Sequence, residues 1–159
     1  MDAALLRRVR THILDCPERF CAAHWAWVRN GRAVREDGAA PEGFRGCIAA
    51  HVLLLSGTFD ETGLVRRNLH FDNGTLSAAA RDVLGLDGAQ YRELFYPSQW
   101  PDPFRARYYT TQTPEAEAAV CAAYLADFLG RHAPAFPLAA DRPAEALQHT
   151  VRTPVLARS

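Results

Sequence analysis

Gly46-Cys47-Ile48-Ala49-Ala50-His51-Val52-Leu53-Leu54-Leu55-Ser56-Gly57 is the stretch around which the chain is organised. From Cys47 to Leu55 only His51 interrupts the apolar character, and Gly57 follows as a helix-stop signal. A helix that is apolar all round has no face for water and belongs at the centre of a domain. It is also too short for a bilayer, which takes about twenty apolar residues. The reading is therefore a mainly α protein wrapped around a buried helix.

The flanking sequence supplies the wrapping. Asp2 is placed to cap a first helix, with Leu5, Leu6, Val9, Ile13 and Leu14 at helical spacing and Pro17 as its stop. Residues 22–36 read as a short β-hairpin. Trp25 and Trp27 alternate with smaller neighbours, Asn30-Gly31 is a favoured two-residue turn, and Ala33-Val34-Arg35 returns. Glu36 to Gly46 reads as loop, and residues 58–74 as an irregular or extended connection.

A helix over 76–84 ends at Gly85. Asp87 and Gln90 then form a capping-box pattern, with Leu86 and Tyr91 as its hydrophobic staple. That helix carries Leu94 and Phe95 and stops at Pro97. Asp102-Pro103 starts a short helix through Tyr108, and Thr113-Pro114 starts one to about Leu129, capped by Gly130. Beyond residue 132, four prolines and many alanines predict a tail with one short helix near 144–149. The expectation is one helical domain over residues 1–132, of about five helices with a small two-stranded hairpin, and a tail over 133–159.

Composition narrows the chemistry. The chain has 159 residues, of which 48% are hydrophobic and 23% charged. Its 18 basic residues are all arginine, and they balance 18 acidic ones. Without lysine there is no Schiff-base amine, P-loop lysine or kinase ATP lysine. Zero net charge argues against a nucleic-acid partner or an acidic membrane surface. The charged N-terminus does not read as a signal peptide, so the four cysteines read as reduced thiols in a cytoplasmic protein.

Two motifs carry a resemblance. Cys47-Ile48-Ala49-Ala50-His51 and Leu94-Phe95-Tyr96-Pro97-Ser98-Gln99-Trp100-Pro101 resemble a group of small, largely helical bacterial proteins of unknown function. Members share a first helix ending near a proline and phenylalanine (Pro17, Phe20), a C-I-A-[GA]-[HW] helix, a Leu-Gly-Leu helix end (Leu84 to Leu86) and an L-F-x-x-x-x-W-P segment. The resemblance covers roughly residues 5 to 130 and implies a helical fold without an assigned reaction. Glu42 stands where the group carries a first cysteine, and Ala50 replaces a glycine, so no two-cysteine site is implied.

Three constellations could carry function. Cys47 sits at a helix start, where free amides favour a thiolate, and His70 with Asp72 or Asn73 could serve as base and orienting group. The competing reading is a small buried core thiol. Cys16, Cys21, His24, Cys47 and His51 offer soft ligands, but their spacing matches no familiar zinc site. Tyr96, Trp100 and Phe104, with Arg105 beside them, could form a binding surface or simply plug the core, and Trp25 and Trp27 could form a second surface. His51 reads as a core histidine bonded to a carbonyl or to a carboxylate such as Glu42. No catalytic set is complete. The expectation is a non-enzymatic binding domain for a protein or small ligand, monomeric or homodimeric, with no cofactor.

Overall fold

The computed structural model describes residues 1–69 and 73–133. Among them the protein is mainly α, with eight helices rather than the five expected. These are α1 (Ala3–Asp15), α2 (Gly31–Glu36), α3 (Ile48–Leu55), α4 (Glu61–Leu69), α5 (Asn73–Leu84), α6 (Gly88–Phe95), α7 (Phe104–Tyr108) and α8 (Pro114–His132). Two single 3₁₀ turns, Pro17–Arg19 and Pro97–Gln99, follow α1 and α6. The segment expected to be a tail lies outside the described residues from 134 onward.

α3 is the centre. Ile48, Ala49, Ala50, His51, Val52 and Leu53 are all buried, and α1, α5 and α6 pack around it. α1 also lies along α8, so the first and last described helices close one core. Leu6, Val9 and Ile13 of α1 meet Tyr124, Leu125 and Phe128 of α8 in a single hydrophobic cluster. Leu14, expected on the buried stripe, is instead exposed.

The caps follow their residue chemistry. Asp2 accepts from the Leu5 amide at 2.9 Å. Asp87 accepts from Ala89 and Gln90 amides at 2.8 Å each, and the Gln90 side chain accepts from the Asp87 amide at 3.2 Å. Thr113 caps α8 ahead of Pro114. α8 runs on through Gly130 to His132, so that glycine is not its cap.

The connection expected over 58–74 is largely α4. Asp60 starts it by accepting from the Gly63 amide at 2.7 Å, and Leu64 and Val65 are fully buried. The hairpin is absent. Asn30 precedes α2, and its side chain holds the far segment: Nδ2 donates to Ala40 O at 2.8 Å and Oδ1 accepts from the Glu42 amide at 2.9 Å. The extended residues around Trp27 pair with Arg45, on the far side of α2. Local turn propensity lost to a non-local partner.

Candidate functional site

That non-local pairing builds the most developed candidate site. Trp27 N donates to Arg45 O at 2.7 Å, and Arg45 N donates to Trp27 O at 2.8 Å. A reciprocal antiparallel pair of this kind directs both side chains to the same side of the ribbon. Arg29, in the turn beyond Trp27, lines the same hollow as Trp27 and Arg45, and its amide donates to Glu42 O at 2.9 Å. The alternate residues point inward: Ala26, Val28 and Phe44 are buried in the core. Asn68 of α4 fixes the ribbon from behind by donating Nδ2 to Ala26 O at 2.8 Å.

The second edge of residues 44–46 is held by the turn after α1. Gly46 N donates to Arg19 O at 3.0 Å and Cys21 N donates to Gly46 O at 3.1 Å. Arg19 lies over the Phe44 ring, 5.8 Å from its centroid, and is ion-paired to Glu61. Arg45 donates Nη2 to Phe20 O at 3.1 Å. A hollow of about 440 Å³ opens on this face, lined by Glu18, Arg19, Trp27, Arg29, Arg45 and Glu61 among others. Trp27 is 43% exposed, unusual for so large an apolar side chain.

Gly43 makes room for Arg29. Its φ of +62° is left-handed, and a Cβ there would stand 2.9 Å from Arg29 Nε. The guanidinium therefore occupies space that any other residue would claim.

His51 supports the same face from inside. It is fully buried, as a core histidine, and its Nε2 meets Arg19 O at 3.2 Å, the carbonyl alternative of the two partners expected. That contact selects the tautomer with hydrogen on Nε2. Its Nδ1 is buried with no hydrogen-bond partner among the described residues. The rings of His12, Phe20 and Phe44 surround it at 5.2, 6.1 and 6.3 Å. Burial pulls its pKa down to about 4, helped by the neighbouring His12. At neutral pH it is an uncharged post under the Pro17–Arg19 turn.

Cys47 is the N-cap of α3, but it is not an activated nucleophile. Burial pushes its thiol up to about 11, overriding the opposite pull of the Ala50 and Ala49 amides. The helix-start effect is present and loses to desolvation. Its expected partners His70 and Asp72 lie outside the described residues. Cys121 and Cys21 are also buried, with thiols raised first by burial and then by Glu117. No group of three or more His, Cys, Asp or Glu among the described residues is arranged to hold a metal ion. Cys16, Cys21, His24, Cys47 and His51 thus do not assemble the ligand set their proximity in sequence suggested.

The aromatic segment divides between core and surface. Trp100 is 1% exposed, stacks on Tyr124 at 4.4 Å and donates Nε1 to Leu94 O at 3.3 Å. Phe104 packs half-buried against Tyr124 at 5.6 Å. These two plug the core and offer no continuous surface. Tyr96 stays exposed with its hydroxyl 3.0 Å from that of Tyr91, and Arg105 is ion-paired to Asp102 at 2.7 Å. Trp25 is half-buried against the core cluster.

Sequence reasoning singled out Trp27 but not Arg19, Arg29 and Arg45. The available signal was the alternation Trp25-Ala26-Trp27-Val28-Arg29 together with Phe44-Arg45, two runs whose pairing spans a helix. Comparison of the chain with protein-family models, with curated proteins and with solved structures finds no match in any of the three.

Proposed function

We propose that the protein is a non-enzymatic interaction domain and that its binding face is the Trp27–Arg45 ribbon, engaged by another protein. The observation that carries this reading is the exposed indole of Trp27 on backbone hydrogen-bonded reciprocally to Arg45, bracketed by arginines. Tryptophan and arginine are among the residues most enriched at interaction hot spots, tryptophan through its large apolar contact area and arginine through its planar, multidentate guanidinium. The hollow has mostly charged walls, five of its nine lining residues being Glu or Arg. Small-molecule sites instead bury most of their ligand among apolar side chains. A cysteine-dependent reaction has no support among the described residues, since Cys47 is sealed and its thiol is held protonated.

The test is retention of partners on immobilised wild type, Trp27→Ala and Tyr109→Ala, the last altering an aromatic that is 63% exposed elsewhere. The expected result is a protein held by wild type and Tyr109→Ala, at least tenfold depleted on Trp27→Ala, with the same ranking when the purified partner is titrated. Equal retention by Trp27→Ala overturns the reading.

A further inference from the structure

The charges around Trp27 narrow what can dock there. The hollow is lined by three arginines and two glutamates, so its net charge is +1 (three minus two). Arg19 is already committed to Glu61. Arg29 and Arg45 form no ion pair among the described residues. Arg29 is exposed, while Arg45 is half-buried and tied only to a backbone carbonyl. Beyond the single Trp27–Arg45 bridge the backbone turns, and Arg29 and Arg45 both border the same hollow. Long side chains bordering one hollow can close on one anionic group, and guanidinium geometry suits a carboxylate.

From these positions we infer that the face recognises an acidic protein segment: an Asp or Glu carboxylate held between Arg29 and Arg45, with a neighbouring apolar or aromatic residue on the Trp27 indole. This rests on the reading of the ribbon as an interaction surface. A single net positive charge decides against a nucleic-acid backbone. Such a partner presents phosphates at every step and is held by many cations. A carboxylate-bearing segment brings one charge to a hollow lined by two guanidiniums that hold no ion pair among the described residues. Gly43 serves this recognition by leaving the space in which the Arg29 guanidinium lies.

The experiment is selection of random displayed peptides on the full chain, with counter-selection on Trp27→Ala. The expected result is a set of Trp27-dependent binders enriched in Asp or Glu beside an aromatic or aliphatic residue. The best such peptide should bind at least tenfold more weakly to Arg29→Gln, and at least tenfold more weakly when salt is raised from 50 to 500 mM. Arg29 is the residue to replace because its side chain is exposed and makes no hydrogen bond among the described residues, while its backbone bond to Glu42 O survives the substitution, so that variant keeps the fold. Trp27-dependent binders that are neutral or basic, or indifferent to Arg29→Gln, overturn the acidic-segment inference and leave the interaction face standing. Absence of any Trp27-dependent binder overturns both.

Discussion

At the scale of single residues, His51 and Cys47 show how burial decides chemistry that position alone would grant. Cys47 caps α3 and His51 stands four residues on, the one a candidate nucleophile by position and the other a core histidine. Desolvation moves them in opposite directions, the thiol up to about 11 and the imidazole down to about 4, so that both are neutral at pH 7. The consequence for stability has a definite sign. His51 in the unfolded chain takes up a proton near its ordinary value of 6.5, whereas in the fold it does so only near 4. Its neutral burial therefore contributes in full above pH 6.5, and the contribution is lost progressively as pH falls to about 4. That gap corresponds to a loss on the order of 3 kcal/mol, since each tenfold change is about 1.4 kcal/mol. Urea midpoints measured at pH 7, 5.5 and 4 should fall steeply for wild type and less for His51→Gln, which retains a donor for Arg19 O. Parallel slopes for the two proteins would show that another group titrates. For the thiols, alkylation of the native protein followed by mass spectrometry should modify half-buried Cys16 first. Cys21, Cys47 and Cys121 should react only on unfolding.

At the scale of elements, the helices with chemical punctuation were legible and the extended pieces were not. Asp2, the Asp87–Gln90 box, Thr113-Pro114 and the apolar 47–55 run act within a few residues, so their signals are complete in the sequence. α4 escapes the sequence reading because its start rests on one Asp60 side chain and the buried residues described in it, Leu64 and Val65, are adjacent and show no helical spacing. The ribbon failed differently. Asn30-Gly31 has strong hairpin propensity, but its asparagine satisfies Ala40 and Glu42 instead, and the true partner of Trp27 is Arg45. Trp27 was therefore legible as a candidate, while its arginine neighbours needed the pairing to be known. Gly43 tests the element directly. Alanine there would hold a left-handed φ at a cost of about 1–2 kcal/mol and would push against the Arg29 guanidinium. Gly43→Ala should lower the thermal midpoint by several degrees while leaving far-ultraviolet circular dichroism unchanged. A variant as stable as wild type would mean that the ribbon relaxes out of that conformation.

At the scale of the whole molecule, the fold is closed by elements far apart in the chain. α1 packs along α8, α3 packs on α1 and α5, and the ribbon is anchored to α4 through Asn68 and to the end of α1 through Arg19. Arg10 adds a tie, donating Nε to Ala122 O at 3.0 Å. The buried residues of these elements belong to one common hydrophobic cluster. Ile13 is fully buried where α1 contributes to the common cluster, beside the end of the helix that leads to the Arg19 turn. Truncating it removes apolar contacts that α3 and α8 cannot recover by collapsing, at a cost of about 2–5 kcal/mol. Ile13→Ala should therefore shift urea transitions followed by tryptophan fluorescence and by far-ultraviolet circular dichroism to the same extent. The two probes should stay superimposable in both proteins, as a single cooperative core requires. Fluorescence reports on Trp25 and Trp27 at the ribbon as well as on Trp100 in the core. A ribbon that melted ahead of the helices would separate the two curves, and the binding face would then have a stability of its own.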